Sequence, residues 1–340
     1  MSVEPSLADH YRGVVCDLDG VVYRGAQAVP GAVEALSALT IPIVWATNNA
    51  SRPPEEVAAH LRSLGLTLLD ASVLTSSLAG AAQVATMVPP GTAVLAVGGE
   101  GVARALEIHD LRPIRPKDHA AGVTVEVVLQ GYGAEVTAGD LGEAAYAIEG
   151  GARWVATNDD ATLPTERGEA PGNGALVGAV RVAVGVEPIV VGKPHPPMYQ
   201  MAARALGVET AEVLAIGDRL QTDIAGAHSA GTASALVLTG VHNANDAAAA
   251  PPEQRPDYLL RDCADLHRPY PVRRGEGGTS RRGDALAVLD LQDTGGLVLE
   301  GGTPIDRARS ALDVLWWGVD EAQITPEQAA AIMRRSVGTV

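Results

Sequence analysis

Short apolar runs alternate with amphipathic segments along most of the chain. The first half contains RGVVC, PGAVEALSAL, IPIVWATN and SRPPEEVAAHLRSLGL in that order. The alternation resumes later as EPIVVGKP, PPMYQMAARALGV, EVLAIGD, TDIAGAHSAG and SALVLTG, which predict three more strands and two helices. Strands that alternate with helices are typical of a parallel sheet with crossover helices. We therefore predict an α/β fold built on a parallel sheet.

The same pattern divides the chain into segments. Between the two halves lies another set of strand and helix candidates, including TAVLAVGG, EVVLQGYG and GARWVATN. We predict that residues 75–182 form an inserted α/β domain and that residues 1–74 and 183–267 form the core. Residues 268–284 are rich in Gly and Arg and predict a flexible linker. Residues 285–340 predict a small α+β extension with one strand, ALAVLDL, and two helices.

Residue types mark three helix boundaries. Ser51 stands just before two prolines and predicts the N-cap of a helix that Gly65 ends. Thr325, with Gln328 three residues further on, matches a capping box at the start of the last helix.

Composition narrows the classes of partner. The chain has 340 residues, of which 46% are hydrophobic, as in a globular protein with a sizeable core. The net charge is −16, from 25 Lys and Arg against 41 Asp and Glu, and it repels polyanions at long range. There is no phenylalanine, and aromatic residues reach only 3%, so a stacking platform for bases is hard to build. We expect neither nucleic acid nor a membrane as partner.

Cysteine use and the first residues favour a cytoplasmic protein. The segment MSVEPSLADHYRG lacks the basic start and the apolar stretch of a secretory signal, and no run is long enough to span a bilayer. Only Cys16 and Cys263 are present, far apart, so neither a disulfide framework nor a multi-cysteine metal site is expected. A homodimer is left open.

Polar side chains follow four of the strand candidates of the core, at the point where each strand ends. They are Asp17 and Asp19 after VVC, Thr47 and Asn48 after IVWA, Lys193 after IVVG, and Asp218 after VLAIG. Each alone is explained by a strand-end turn, a surface lysine or a capped helix start. In open parallel sheets, however, ligands bind beyond the carboxyl ends of the strands, so we expect the four to converge on one crevice.

The pair in DLDG suggests phosphoryl transfer. An extended strand sends residues i and i+2 to the same side, so Asp17 and Asp19 could face one point. One carboxylate can attack phosphorus, and a second can protonate the leaving alcohol and then activate water. We predict Asp17 as the nucleophile and Asp19 as the acid/base. A calcium loop is rejected because Gly20 falls at position four rather than six and Ala28 replaces the required glutamate.

Positive charge is needed around this pair. Two unit charges about 4 Å apart interact by about 4 kcal/mol at an effective dielectric constant near 20. Mg²⁺ prefers oxygen ligands and fits Asp17 and Asp218. We expect Lys193 to supply a second cation that bridges nucleophile and phosphate. We expect the Thr47 hydroxyl and the backbone at Asn48 to donate hydrogen bonds to phosphate oxygens.

The motifs DLDG, TNN, GKP and GDRLQTD resemble, in type and order, those of the haloacid-dehalogenase (HAD) superfamily of phosphohydrolases. The resemblance covers roughly residues 10 to 265. It implies a Rossmann-like core in which Lys193 is catalytic and Asp19 gives its backbone carbonyl to Mg²⁺. It also implies that Asp223 acts on the metal through bound water.

The place of the insertion, after TNN and before the lysine, is similar to that in the large-capped class IIA phosphatases. TNDDATLPTERGEAPGNGALVGAV resembles the cap signature of that class, with Asp159 where proline is usual. On this resemblance the inserted domain is a cap, and Asn158, Arg167 and Tyr132 are candidate substrate contacts from it. His195, beside the lysine, could bind a substrate oxygen, although a packed or surface histidine is the commoner case.

The C-terminal segment is not usual in capped phosphatases. With it, the architecture is similar to the actinobacterial-type glycerol-3-phosphate phosphatases, whose tail resembles part of an acetyltransferase fold. No acetyl-CoA pyrophosphate loop is evident in this tail, so we predict docking or dimer support rather than a second activity.

The resemblance implies a Mg²⁺-dependent phosphomonoesterase acting on a small phosphorylated metabolite, with glycerol 3-phosphate as the first expectation. Phosphoglycolate, pyridoxal phosphate and nucleoside monophosphates are the alternatives among enzymes. A phospho-accepting signalling receiver uses similar groups but usually lacks the cap and the second aspartate. A binding protein with a vestigial site is the remaining alternative.

Overall fold

The computed structural model describes residues 4–165, 167–291 and 296–337. The strands in these ranges are β1 (Gly13–Cys16), β2 (Tyr23–Arg24), β3 (Gln27–Ala28), β4 (Ile43–Thr47), β5 (Val73–Thr75), β6 (Ala93–Val97), β7 (Arg112–Ile114), β8 (Val127–Gln130), β9 (Arg153–Ala156), β10 (Thr162–Thr165), β11 (Gly168–Pro171), β12 (Ile189–Val190), β13 (Val213–Gly217), β14 (Ala233–Val237), β15 (Tyr258–Leu260), β16 (Thr279–Arg282), β17 (Ala285–Asp290) and β18 (Gly296–Glu300).

The α-helices in the same ranges are α1 (Ala32–Ser37), α2 (Pro54–Ser63), α3 (Ser76–Ala85), α4 (Glu100–Ile108), α5 (Pro116–Ala120), α6 (Ala138–Glu149), α7 (Asn173–Val184), α8 (Pro196–Leu206), α9 (Ala225–Ser229), α10 (Ala244–Ala248), α11 (Pro304–Asp320) and α12 (Pro326–Ser336). Within the described part of the chain, none of these helices is both long and apolar enough to cross a membrane.

Two compact units make up the chain. The first comprises the described residues up to Ile43 and from Val208 onward, and the second comprises Val44–Gly207. In the first unit, four strands pair in parallel in the order β15, β14, β13, β1. Every residue of β1 and β13 is buried, as expected for parallel strands covered on both faces. The predicted α/β class with a parallel core sheet is confirmed.

The second unit contains a five-stranded parallel sheet in the order β12, β9, β8, β6, β7, together with the parallel pair β4 and β5. Successive residues of β8 contribute to two apolar clusters, with Val127 and Leu129 in one and Val128 in the other. Both faces of this sheet are therefore buried. The predicted limits of the inserted domain, 75 and 182, stay a prediction; β12, beyond residue 182, belongs to this sheet.

The C-terminal segment packs against the rest of the first unit. Strands β16, β17 and β18 form an antiparallel sheet, and one apolar cluster joins α11 and α12 to α10 and to Leu236 and Leu259 of the parallel sheet. The predicted strand and two helices are present, and so is the capping box of Thr325 and Gln328. The helices of the extension therefore pack into the same hydrophobic core as strands β14 and β15 of the parallel sheet.

Two local predictions need correction. The predicted flexible linker, 268–284, contains strand β16, in which Ser280 is buried and Arg282 forms a bidentate ion pair with Asp313. Sheet pairing and this ion pair order a segment that its composition marks as flexible.

Ser51 is not the N-cap of α2. The helix begins at Pro54, because the residue before a proline is held extended, and the Ser51 hydroxyl instead donates to Asn49.

Candidate active site

Three aspartates of the first unit place their carboxylates together. Asp17, Asp218 and Asp223 each offer one oxygen, and these oxygens lie within 4.8 Å of one another. Asp17 directly follows β1, and Asp218 directly follows β13. Because β1 and β13 are neighbouring parallel strands, both residues leave the sheet at the same edge. The structure therefore brings together three of the predicted site residues.

The backbone holds Asp17 and Asp218 in place. Asp17 donates its N–H to the carbonyl of Ile216 at 2.9 Å, which continues the pairing of the two strands by one residue. Asp218 is 1% exposed, and its Oδ2 accepts the N–H of Val241 at 2.7 Å. Asp218 therefore carries a carboxylate that is buried and oriented by the chain after β14.

Asp223 reaches the cluster through a wide turn. Residues Leu220–Ile224 form one π-helical turn, in which Ile224 donates its N–H to the carbonyl of Arg219, five residues earlier, at 3.2 Å. The carboxylate of Asp223 folds back and accepts the N–H of Arg219 at 3.1 Å. One of its carboxylate oxygens lies within 4.8 Å of an oxygen of each of the other two aspartates, whereas the family resemblance implies an action on the metal through bound water.

Glycines leave the space that these carboxylates occupy. A Cβ on Gly20 or on Gly240 would overlap the Asp218 carboxylate, and one on Gly217 would overlap Asp223. Gly20 also has a φ of +82°, which non-glycine residues rarely adopt. Glycine is therefore needed at position 20 for two reasons: its positive φ in the turn and the space that the Asp218 carboxylate occupies beside it.

Asp19 does not lie in a strand. β1 ends at Cys16, and the chain turns at once, with Val22 donating to the carbonyl of Leu18 at 2.9 Å. The argument from side chains two apart on a strand is therefore wrong for this pair. Asp19 is exposed and forms an isolated bridge with Tyr23, and the acidic cluster found among the described residues does not include it. Its acid/base role stays a prediction.

The donor set suits a hard divalent cation. Three carboxylates, two of them 1% and 3% exposed, concentrate negative charge where little water screens it. Mg²⁺ takes oxygen ligands and commonly uses few protein carboxylates while keeping waters. The residues present therefore fit Mg²⁺, with Asp17, Asp218 and Asp223 as the groups that would hold it.

The predicted phosphate-binding residues lie in the second unit. Thr47 ends β4 and Lys193 follows β12, and each is 3% exposed. The Lys193 ammonium donates to the carbonyl of Ala46 at 3.4 Å. The side chain of Asn48 accepts the N–H of Lys193 at 2.8 Å. Within this unit the structure therefore joins the TNN and GKP motifs, while the convergence of all four signals on one crevice stays a prediction.

The three candidate cap contacts differ in exposure. Asn158 is 3% exposed, and its amide donates to the carbonyl of Asn48 at 2.7 Å. Tyr132 is partly buried, and Arg167 is exposed in the turn between β10 and β11. Substrate contact by all three stays a prediction. Of the three, Asn158 is the one whose side-chain amide donates a hydrogen bond within the protein, to the carbonyl of Asn48.

Sequence reasoning missed two features near these residues. His195 Nε2 lies 3.4 Å from Asp159 Oδ2, and this hydrogen bond is the main reason that the pKa of Asp159 is lowered. Asp159 stands out in the sequence because proline is usual at its position, but nothing in the sequence indicates that His195 is its partner. The second feature is the segment after β14, in which Val241 donates its N–H to the Asp218 carboxylate and Gly240 leaves room for it. Its only signal in the sequence is that the TG of SALVLTG follows a strand, as the other motifs do.

Comparison with known proteins agrees with the motifs. The haloacid dehalogenase-like hydrolase family model matches residues 14–112, and the HAD-hydrolase-like model matches residues 190–266. The D-glycerol 3-phosphate phosphatase of Mycobacterium tuberculosis is 44% identical over 263 residues, which are 77% of this chain and 73% of that protein. The 5'-nucleotidase YutF of Bacillus subtilis is 35% identical over 234 residues, 68% of this chain and 88% of its own.

Solved structures extend the likeness. Glycerol phosphate phosphatase Rv1692 from M. tuberculosis, in complex with magnesium, superposes with a TM-score of 0.80 and 37% identity over 92% of this chain and 93% of its own. The p-nitrophenyl phosphatase from Archaeoglobus fulgidus has a TM-score of 0.68 and 28% identity, over 75% and 98%.

The chain belongs to the haloacid dehalogenase-like hydrolase family, and the predicted resemblance is confirmed. Within that family it is a class IIA member of the glycerol-phosphate-phosphatase-like kind, and its likeness to Rv1692 extends into the C-terminal segment.

Proposed function

We propose that this protein is a Mg²⁺-dependent phosphomonoesterase that hydrolyses glycerol 3-phosphate to glycerol and inorganic phosphate. The chemistry is supported by the acidic cluster of Asp17, Asp218 and Asp223 at the ends of two parallel strands. The substrate is supported by one observation above the others, the 44% identity to a D-glycerol 3-phosphate phosphatase over 263 residues.

The reaction divides into two displacements at phosphorus. In the first, a carboxylate oxygen of Asp17 forms a bond to phosphorus while the bond to the glycerol oxygen breaks, and Asp19 gives its proton to that oxygen. In the second, Asp19 takes a proton from water as the water oxygen attacks phosphorus. The bond to Asp17 breaks, phosphate leaves, and both carboxyl groups return to their starting states.

Charge decides whether the substrate can approach. Bound Mg²⁺ supplies positive charge that offsets the carboxylates and the phosphate oxygens. Backbone N–H groups hold the carboxylates of Asp218 and Asp223, two of the groups that would bind the ion. Lys193 adds a second positive charge, and the Thr47 hydroxyl and the Asn48 backbone donate to phosphate oxygens.

The test is phosphate release from a panel of esters, with and without Mg²⁺. The panel holds glycerol 3-phosphate, phosphoglycolate, pyridoxal phosphate and a nucleoside monophosphate. We expect Mg²⁺-dependent release with the highest kcat/KM for glycerol 3-phosphate. We expect Asp17→Asn to lower kcat by about 10⁴-fold or more, since the nucleophile is lost. Asp110→Asn, which changes an exposed carboxylate, is the matched control.

A nucleoside monophosphate is the second candidate substrate, supported by the 35% identity to a 5'-nucleotidase. A higher kcat/KM for it than for glycerol 3-phosphate would replace the proposed substrate and keep the mechanism. Full activity of Asp17→Asn would show that Asp17 is not the nucleophile. A long-lived aspartyl-phosphate without turnover would favour a phospho-accepting protein.

A cytoplasmic location and a homodimer are proposed as well. The location is supported by the two cysteines, Cys16 and Cys263, which are both buried and are not joined in a disulfide. Cell fractionation tests the location. Light scattering at several protein concentrations tests the homodimer, which a constant monomer mass would exclude.

A further inference from the structure

The side chain of Asn48 is occupied by the protein itself. Its Oδ1 accepts the N–H of Lys193 at 2.8 Å, and its Nδ2 donates to the carbonyl of Lys193 at 2.9 Å. The same Nδ2 donates to Asp160 Oδ2 at 3.0 Å. Both amide protons of Asn48 are therefore used, and the lysine backbone is held through its donor and its acceptor.

Asp160 determines which way the Asn48 amide points. An ionised carboxylate only accepts hydrogen bonds, so it attracts Nδ2 and repels Oδ1. With Nδ2 toward Asp160, Oδ1 is left facing the N–H of Lys193. The reverse orientation would set Oδ1 against the carboxylate and Nδ2 against an N–H, and both contacts would be repulsive.

The buried side chains of Asn158 and Asn173 support this arrangement through further hydrogen bonds. Asn158 donates to the carbonyl of Asn48 at 2.7 Å, and its Oδ1 accepts the N–H of Asp160 at 3.3 Å. Asn173, which is 1% exposed, donates to the carbonyl of Asn158 at 2.7 Å. The network therefore connects three separate loops through part-buried hydrogen bonds.

Gly192 allows the close approach of these groups. A Cβ at this position would lie 2.8 Å from Asn48 Oδ1 and 2.9 Å from Asn158 Cβ, and it would overlap the carbonyl of Thr157. The glycine of GKP thus makes room for the Asn48 amide beside the lysine.

We propose that Asn48 and Asp160 are positioning residues for Lys193. They hold the lysine backbone so that the buried ammonium keeps one position, and the Asn48 side chain acts through the lysine rather than on the substrate. This inference rests on the proposed function for its kinetic consequence. It also assigns Asn158 to the protein's own network instead of to the substrate.

A double-mutant cycle tests the coupling. The variants are Asn48→Ala, Lys193→Ala and the pair, assayed with glycerol 3-phosphate and Mg²⁺. We expect Asn48→Ala alone to lower kcat by about 10- to 100-fold with a smaller change in KM, since a misplaced group loses transition-state contacts. In the Lys193→Ala background the same change should cost less than about threefold. An equal cost in both backgrounds would overturn the proposal.

Hydrogen exchange gives a readout that needs no activity. We expect the amide of Lys193 to exchange about tenfold faster in Asn48→Ala, with a smaller increase in Asp160→Asn, because the acceptor of its N–H is lost or loosened. Unchanged exchange in both variants would overturn the inference. Faster exchange in Asn48→Ala, together with no hydrolysis of any of the esters by the wild-type protein, would keep the hydrogen-bonded arrangement and reject the proposed function.

Asn49→Ala is the matched control. Asn49 stands next to Asn48, and its Oδ1 accepts from the N–H and the hydroxyl of Ser51. This change removes hydrogen bonds of the same kind without touching Lys193. We expect its kinetic cost to be equal in both backgrounds. A cost that also vanished in Lys193→Ala would mean that the coupling is a general property of this segment, against the proposal.

Discussion

Thr239 donates its hydroxyl hydrogen to the carbonyl of Gly20 at 2.8 Å. The hydrogen bond ties the chain after β14 to the turn that follows the nucleophile candidate Asp17. Two residues later, Val241 donates its N–H to the Asp218 carboxylate at 2.7 Å. One segment, residues 239–241, therefore braces both a turn and a carboxylate of the acidic cluster.

Removal of the Thr239 hydroxyl should loosen this turn. We expect Thr239→Val to lower the free energy of unfolding by about 1 kcal/mol, because the Gly20 carbonyl loses a partner in a partly buried place. The Mg²⁺ concentration for half-maximal activity should rise as well. Urea unfolding and a Mg²⁺ titration measure the two effects. Thr239→Ser keeps the hydroxyl and should restore both values toward wild type.

A side chain at Gly240 should displace Asp218. A Cβ there would overlap the Asp218 carboxylate, which is buried and has little room to move. We expect Gly240→Ala to raise the half-saturating Mg²⁺ concentration by about tenfold or more, as loss of a well-placed metal ligand or its support does. Activity against Mg²⁺ concentration is the measurement.

Gly178→Ala is the control for this change. Nothing lies within 4 Å of a Cβ at Gly178, which is in the interior of α7. Alanine is favoured over glycine in a helix by about 0.5–1 kcal/mol, so this variant should be slightly more stable, with an unchanged Mg²⁺ requirement. An equal Mg²⁺ requirement in Gly240→Ala and wild type would contradict the steric argument.

Breaking the ion pair of Arg282 and Asp313 should destabilise the first unit. The two side chains are 15% and 6% exposed, and Ser280 donates to the same carboxylate at 2.6 Å. We expect Asp313→Ala to lower the free energy of unfolding by about 3 kcal/mol, because an uncompensated guanidinium is left with little water. Chemical denaturation is the measurement.

The same helix offers a matched control. Asp320 also lies in α11 and accepts two hydrogen bonds from Arg255 at 2.7 Å each, but its side chain is 51% exposed. Arg255 is itself 13% exposed but keeps a hydrogen bond to the carbonyl of Ala250 at 3.2 Å. We therefore expect Asp320→Ala to cost less than Asp313→Ala, about 1 kcal/mol, since water screens the Asp320 carboxylate. Equal losses in the two variants would mean that burial does not set the strength of the α11 ion pairs.

The pair of His228 and Asp257 should make stability depend on pH. Their side chains lie 3.5 Å apart, and the hydrogen bond to Asp257 is the main reason that the pKa of His228 is raised. A raised pKa in the folded state stabilises the protein fully below the unfolded pKa of about 6.5 and loses this effect as pH rises through the folded pKa. The gain should stay below about 1 kcal/mol because both groups are partly exposed.

Urea unfolding at pH 6 and pH 9 checks this dependence. We expect the difference in unfolding free energy between wild type and His228→Gln to shrink at the higher pH. His10→Gln, at an exposed histidine, controls for the general effect of pH. A difference that grew with pH would contradict the sign of the argument.

Local patterns were enough for several elements of this protein. Strand runs followed by DLDG, GKP or GDRLQTD predict a polar group at a strand end, and both Asp17 and Asp218 lie there. The capping box of Thr325 depends on residues three apart and is present as predicted. Such features depend on neighbours along the chain, so the sequence contains the needed information.

Other features depend on residues far apart in sequence. Arg282 is ordered by Asp313, 31 positions away, which the composition of residues 268–284 does not indicate. The Asn48 side chain binds the backbone of Lys193, 145 positions away, whereas the motif TNN predicts only that the backbone at Asn48 donates to phosphate. The prediction for Asp19 failed in its geometry because the end of β1 was placed too late.

The sequence by itself determined the α/β class, the family and the residue types at the strand ends, since periodicity and motif order are carried by the chain alone. Tertiary structure decided that Asp223 joins Asp17 and Asp218, that Gly20 and Gly240 make room for one carboxylate, and that Asn48 holds a lysine backbone. The physical reason is that hydrogen bonds and close packing act across space, and their partners become neighbours only when the chain has folded.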